Sequence, residues 1–289
     1  MGNYSIKELE QLSGIKAHTI RIWEKRHNII APGRTSTNIR LYSDNDLKKI
    51  INVSLLNNSG IKISRIADMT AEEMNLRVLE ISKHGSDAAI HIDQLVVAMI
   101  DMEEEHFERT LSGLILRYGF ERAVTEVVYP FLDKIGILWQ TENITPAHEH
   151  FISNLIRQKI IVAIDSLPIP SKNAERIVLY LPEGEMHEIG LLFYHYLTRK
   201  AGLRTYYLGQ SVPHEDLVTV YQVHRPSILI TSITAALPMP LFEYFEKLSR
   251  DFPTARVLAA GMQVLPYKGQ TFFNTVQTFS TAMELLPLI

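Results

Sequence analysis

The 289-residue sequence contains no cysteine. That absence excludes disulfides, thiolate catalysis and cysteine-built zinc sites, so a metal would have to be held by His, Asp or Glu or arrive inside a cofactor. No apolar run approaches the roughly 20 residues of a membrane span, and the start Met1-Gly2-Asn3-Tyr4-Ser5 lacks the basic-then-apolar layout of a signal peptide. A cytoplasmic chain with no membrane partner is therefore expected. No Gly-x-Gly-x-x-Gly follows any predicted strand, which argues against a dinucleotide. Acidic residues are scarce at the front: residues 1–65 hold five Asp and Glu against eleven Lys and Arg, a net +6, which leaves −9 for the remainder of a chain whose total is −3. A basic head on an acidic body points to a polyanion at the head. With 46% hydrophobic and 21% charged residues, the rest has the material for two or three ordinary domains.

Ser5-Ile6-Lys7-Glu8 is a capping box, and Ile6, Leu9 and Leu12 give a short helix one apolar face before Gly14 breaks it. A second helix is predicted from about Lys16 to His27, with Ile20 and Trp23 inward and His18, Thr19, Arg21, Glu24, Lys25 and Arg26 largely outward. Two short helices joined by a glycine-containing turn, the second polar and basic, form the helix-turn-helix layout whose second helix enters the major groove. Ala31 to Tyr42 reads as a β-hairpin wing with Arg34 and Arg40 placed for phosphates. Ser43 to Asp46 is a further cap opening a helix through Leu56.

Residues 71–167 show helical period throughout, with Thr70 to Glu73 as a cap and longer helices over Ala88 to Met102, Glu104 to Tyr118, Glu121 to Trp139 and Thr145 to Leu167. Such lengths and short connections predict a helix bundle. Trp139 closes one helix and Glu149-His150 opens the next, so the three can meet at one end of it.

Pro168 to Ala174 is a polar, proline-punctuated linker, and beyond it strand and helix alternate. Strands are predicted at Arg176 to Leu181, Arg204 to Leu208, Ser227 to Ser232 and Arg256 to Ala260, with a weaker last unit from Thr275 to Leu286. This is the pattern of a doubly wound parallel sheet, whose ligand crevice lies beyond the strand carboxyl ends. Loops at that edge carry His187, Gly209-Gln210-Ser211, Ser232-Ile233-Thr234 and Ala260-Gly261. Within Glu185-x-His187-x-x-Gly190, the carboxylate can hold one ring nitrogen and make the other a better ligand. The expected division is 1–75 for the winged-helix head, 76–167 for the bundle and 173–289 for the sheet domain.

Tyr4-Ser5-Ile6-Lys7-Glu8-Leu9, then Gly14 through Arg26 with Thr19-Ile20-Arg21-Ile22-Trp23-Glu24, then Arg40-Leu41-Tyr42-Ser43, resembles the winged-helix DNA-binding domain of the MerR family of transcription regulators. The resemblance implies DNA contact through Lys16, His18, Thr19, Arg21, Arg26, Arg34, Arg40 and Tyr42, and a dimer on a two-fold-symmetric operator. A bundle ending in Trp-x(9)-Glu-His, followed by Glu-x-His-x-x-Gly after the first strand of a doubly wound domain, resembles the cobalamin-binding module shared by methionine synthase and the CarH/LitR photoreceptor repressors. The latter resemblance, with the MerR-type head, covers nearly the whole chain. It implies adenosylcobalamin as cofactor, with His187 on cobalt from below and Glu185 orienting it. The small residues of the Ser232-Ile233-Thr234 and Gly261 loops would admit the nucleotide tail, Gly190, Gly209 and Ser211 would also bind the cofactor, and Trp139, Glu149 and His150 would cover the upper face. The function it implies is a non-enzymatic repressor controlled by cobalamin and light, whose assembly as dimer or tetramer and hold on operator DNA follow the cofactor.

Two departures stand out. Gln140 occupies the position after the Trp where the family's light response uses a capturing histidine, and glutamine is a poor cobalt ligand. Ala259-Ala260-Gly261 replaces a Gly-Gly pair, which is expected to narrow the tail channel. They keep open a regulator of the same architecture that binds cobalamin weakly or senses another signal. A methyl-carrying module of a methyltransferase is the enzymatic alternative; the basic head has no role in it and no substrate-activating barrel accompanies it. Gln140→His is expected to convert the illuminated protein to a bis-histidine cobalamin spectrum and to slow its recovery. Visible spectra of both proteins before and after green light check this, and a bis-histidine spectrum already present in the illuminated wild type would sink it.

Overall fold

Ser5 starts the first helix in the computed structural model, which describes residues 3–84, 88–140 and 144–289, the side chains of residues 79, 82–84, 137, 139 and 140 excepted. The Ser5 hydroxyl accepts from the Glu8 amide while the Glu8 carboxylate accepts from the Ser5 amide, opening α1 (Ile6–Ser13). Gly14 ends it in the left-handed region, φ +72°, where its amide satisfies the Glu10 carbonyl. The chain turns at once into α2 (Ala17–His27), with Ile20 and Trp23 buried as expected. Strands β1 (Gly33–Arg34) and β2 (Arg40–Leu41) form the two-stranded wing. A second capping box at Ser43 and Asp46 opens α3 (Asp44–Asn58), which is followed by α4 (Ile63–Ala67) and α5 (Ala71–His84). Leu9, Leu12, Ile20, Leu47, Ile50 and Ile51 are the core of the head.

The bundle consists of α6 (Ala88–Ile100), α7 (Glu104–Tyr118), a long composite helix, and the first half of α10 (Pro146–Asp165). The predicted helix Glu121 to Trp139 is more complex than its periodicity indicates. It comprises α8 (Phe120–Ala123), one π-helical turn over Val124–Val128, and α9 (Tyr129–Gln140). A π turn inserts one extra residue and rotates the following face, a shift that apolar spacing over a few residues does not reveal. Leu95, Met99, Phe107, Leu111 and Phe131 are buried in the bundle, with the Phe107 and Phe131 rings edge to face at 5.7 Å. Two compact units are distinguished, 1–155 and 156–289, and the division falls within α10. Among the described residues no helix is long and apolar enough to cross a membrane.

In the second unit, six strands are ordered β4-β3-β5-β6-β8-β7, comprising β3 (Arg176–Pro182), β4 (Arg204–Val212), β5 (Ile228–Ser232), β6 (Arg256–Ala260), β7 (Thr271–Phe272) and β8 (Val276–Thr278). Five run parallel, as expected of the strand-helix alternation, and β7 adds an antiparallel edge that the sequence pattern does not show. Residues 177–182 of β3 are all buried, the continuous apolar run of a strand covered on both faces. One face packs α11 (Ile189–Lys200) and the other α12 (His214–His224) and α13 (Leu241–Asp251), through Val178, Tyr180, Leu229, Val257 and Ala259 against Leu217, Phe245 and Leu248. The short α14 (Ala282–Leu285) closes the chain against α11. Strand β4 runs four residues past its predicted end, because the register with β3 shifts near Gly209 and lets pairing continue to Val212.

Gly261, immediately after β6, has φ +105°, and a Cβ there would lie 2.4 Å from the Ile233 carbonyl oxygen. Backbone cannot yield as a side-chain tip would. Gly261→Ala is expected to lower unfolding stability by about 3 kcal/mol, from the sum of the positive-φ strain and the displaced loop; urea denaturation checks it, and a loss below about 1 kcal/mol would contradict the tight approach.

Candidate cofactor and nucleic-acid sites

The loops at the carboxyl edge of the sheet converge on one carboxylate. Glu185 is only 2% exposed, yet its carboxylate accepts four hydrogen bonds. Its Oε2 accepts from the amides of Thr234 and Ala235, both at 2.7 Å, and its Oε1 from the His187 amide at 2.9 Å and His187 Nδ1 at 2.6 Å. Burial alone would push this carboxyl up; the bonds from His187, Ala235 and Thr234 outweigh it and hold the group at about 2. An ionised carboxylate only accepts, so Nδ1 carries the proton, and in the neutral ring the lone pair of His187 is then on Nε2. The imidazole is half exposed at the sheet edge, with 54% of its surface accessible.

Neighbouring loops are tied to the same point. Ser211 donates its amide to the Glu185 carbonyl, and its Oγ accepts from the Gly184 amide, which steadies Ser211 in the left-handed region at φ +49°. Gln210 Nε2 donates to the Met186 carbonyl. Ile233 donates to Ala260 and accepts from Gln263, so the loops after β5 and β6 are stitched together beside Thr234. Ser232 is buried, and a Cβ at Gly190 would stand 3.9 Å from its Oγ. The structure thus brings Glu185, His187, Gly190, Gly209, Ser211, Ser232, Thr234 and Gly261 to one edge. Ala260 has no exposed surface; its methyl is covered by protein and does not border open space, contrary to the expected narrowing.

Sequence reasoning missed Glu188. Directly after the histidine, this buried carboxylate receives Arg157 Nε from α10 and the Tyr207 hydroxyl at 3.0 Å. Burial and then the charge of Glu188 raise the Tyr207 phenol above its ordinary range, so it stays a donor. A charged residue on an otherwise apolar helix start was the available signal, but its partners come from 31 residues before and 19 after. Of the residues expected over the upper face, Glu149 is half-buried and His150 exposed in the first turn of α10. Trp139 and Gln140 close α9, and their side chains lie outside the described residues. Among the described residues no group of three or more His, Asp or Glu could hold a metal ion. A single supported imidazole fits a metal that brings its other ligands with it, as in a cofactor.

In the head, α2 presents His18, Arg21, Ile22, Lys25 and Arg26 outward, with Lys16 exposed at its start and Thr19 partly covered, bonded to His18. Arg34 is exposed on the wing and donates to Asn38. Arg40 is half-buried, its Nε on both Glu24 oxygens at 3.1 Å. Tyr42 is corrected: its ring is fully buried, its hydroxyl faces Glu24, and burial followed by that carboxylate pushes its phenol up to about 12. It pairs through its backbone with Tyr4 and supports the wing from below, out of reach of a nucleic acid.

Residues 4–73 match the MerR HTH family of regulatory proteins, and residues 91–163 match a B12 binding domain. The chain is 28% identical over 246 residues to the HTH-type transcriptional repressor CarH of Myxococcus xanthus, covering 83% of this chain and 82% of that protein. It is 24% identical over 287 residues to CarA, a repressor of the same organism, covering 98% and 95%. Among solved structures, the monomethylamine corrinoid protein of Methanosarcina barkeri is similar, with a TM-score of 0.54, 15% identity, and coverage of 68% of this chain and 96% of that one. That likeness is one of fold.

Glu185→Gln would point one amide group at backbone N–H donors and is expected to cost on the order of 3 kcal/mol at neutral pH. The native carboxyl stays ionised down to about 2, whereas an unfolded glutamate takes up its proton near 4.3. The stability it adds is therefore complete above about pH 4.3 and is lost as pH falls from there toward 2. Urea unfolding from pH 7 to 3 should show that acid limb in the wild type and flatten it in the variant; parallel curves would contradict the assignment.

Proposed function

We propose that this chain, a MerR-type helix-turn-helix head joined to a B12-binding domain, is a transcriptional repressor that holds adenosylcobalamin as its sensory ligand and responds to light. The observation that carries the proposal is the Glu185–His187 unit at the sheet edge: a buried, ionised carboxylate accepts from Nδ1 of a half-exposed imidazole and so orients the ring, the support that a metal-binding histidine uses. Adenosylcobalamin, when bound, supplies a cobalt–carbon bond that visible light breaks. The protein's part is to grip and to position. His187 would hold the cobalt through its imidazole, and the Gly209, Ser211, Ser232, Thr234 and Gly261 loops would take the nucleotide tail. Trp139, Glu149 and His150 would cover the upper side. The repressor names of CarH and CarA support the direction of regulation, and their likeness over most of the chain supports the pairing of head and sensor.

On the DNA side, Lys16, His18, Thr19, Arg21 and Arg26 would face the major groove and Arg34 the adjacent phosphates. Arg40 would reach DNA only by leaving Glu24, which makes it a weaker contact than Arg34. A head of this kind reads half a symmetric site, so a homodimer or tetramer is the proposed binding form. Gln140 favours one second reading, a cobalamin-binding regulator of the same build whose signal is not light.

Two substitutions separate the two activities. His187→Ala is expected to abolish adenosylcobalamin uptake, seen as loss of the cobalamin visible spectrum after desalting, while operator affinity without cofactor is retained. Arg21→Ala should keep the spectrum and lose roughly tenfold or more in operator affinity. A His187→Ala protein with the wild-type cobalamin spectrum would overturn the coordination, and unchanged DNA affinity in Arg21→Ala would overturn the head.

A further inference from the structure

Within residues 1–155 the head meets the bundle across a seam unlike the cores on either side. On one flank Lys134, from α9, donates Nζ to Asp93 of α6 at 2.6 Å and to the Leu12 carbonyl of α1 at 2.9 Å. On the other, Lys48 of α3 is paired with Asp101, just beyond α6. Beside Asp101, Asn52 and Asn75 from the head side and Gln94 and His106 from the bundle side line a cavity of about 330 Å³. Asn52 Oδ1 and Gln94 Nε2 are buried there without a hydrogen-bond partner. Polar junctions of this kind are where domains shift relative to each other, and buried unsatisfied groups raise the energy of the docked state.

Lys134 is the most consequential of these contacts. Its side chain is 26% exposed and that of Asp93 13%, so the pair is largely withdrawn from water, where loss of one partner costs far more than at a surface. Its second contact, on the Leu12 carbonyl, lies at a sensitive place. Leu12 sits in the last turn of α1, whose terminal carbonyls have no partner inside the helix and carry the negative end of its dipole. Two residues later Gly14 leads into α2, the helix proposed to enter the groove. Lys134 also lies five residues before Trp139 on the same helix, a rise of about 7.5 Å. The π turn at Val124–Val128 lies just ahead, where a helix can adjust its register.

We infer that Lys134 is a positioning residue: it transmits the state of the cofactor-covering end of α9 to the carboxyl end of α1, and so sets whether the head is docked for DNA. The coupling part of this inference rests on the proposed cofactor; the docking part rests on the seam alone. Movement of α9 at its Trp139 end carries the ammonium with it, and with it the anchor of the Leu12 carbonyl.

The test uses the full-length chain and its Lys134→Met and Lys134→Arg variants, the first removing the charge while keeping the stem and the second restoring it. Three quantities are read: the adenosylcobalamin spectrum, hydrogen exchange of the amides of residues 9–16, and the ratio of operator affinities with and without adenosylcobalamin at fixed salt. Lys134→Met should keep the spectrum, exchange those amides about tenfold faster or more, and bring the affinity ratio toward one. Lys134→Arg should recover both. Wild-type exchange together with a wild-type ratio in Lys134→Met would overturn the inference. If the wild-type ratio is itself one, the proposed function falls; the exchange arm then still decides the docking role, since unchanged exchange rejects it. Should Lys134→Met fail to fold, Lys48→Met at the other flank must loosen the same amides, and its failure to do so rejects the separable seam.

Discussion

A buried negative charge organises the sheet edge. Ionised Glu185 is affordable in a nearly water-free position only because four donors surround its two oxygens, and those donors belong to loops that follow different strands. The charge therefore dictates loop placement. The backbone after β5 must turn its Thr234 and Ala235 amides inward, and the Ser211 amide from the end of β4 closes on the Glu185 carbonyl. Gly261 follows from this packing, since the Ile233 backbone lies where any side chain at 261 would stand.

A second carboxylate completes the mounting of the histidine. Glu185 holds the ring and the peptide N–H of His187, and Glu188, one residue beyond, is held by Arg157 and Tyr207. The histidine thus stands between two anchored acids, with its backbone constrained on both sides and its ring half exposed. A ligand so mounted loses little conformational freedom on binding, which is the physical content of preorganisation. Arg157 reaches Glu188 from the second half of α10.

The head uses its charges differently. On α2 the cations stand outward, while the wing is braced from beneath by Tyr42 and by the Glu24–Arg40 pair. The bracing residues and the reaching residues share one short motif, and residue type alone does not separate them. Tyr42 shows the difficulty: an aromatic with a hydroxyl suits a phosphate contact and a buried support equally well, and the antiparallel bridge to Tyr4, 38 residues earlier, decides for burial.

Local patterns were sufficient for most of the elements and their order, the π turn at Val124–Val128 and the edge strand β7 excepted. The capping boxes at Ser5 and Ser43, the apolar faces of α1 and α2, the buried run of β3 and the alternation of strand and helix are each written in neighbouring residues, because helix and strand periods, caps and turns are short-range effects. That His187 would stand beyond a strand's carboxyl end, with Glu185 on its ring, was legible for the same reason, the two being two residues apart. What only the tertiary structure decided are the contacts between distant segments: Thr234 and Ala235 on Glu185, Arg157 on Glu188, Tyr42 beneath the wing, and Lys134 on the last turn of α1. A buried charge or carbonyl demands a partner, yet nothing in its own neighbourhood says which of many distant donors will supply it, since that choice is made by how the packed elements bring them together.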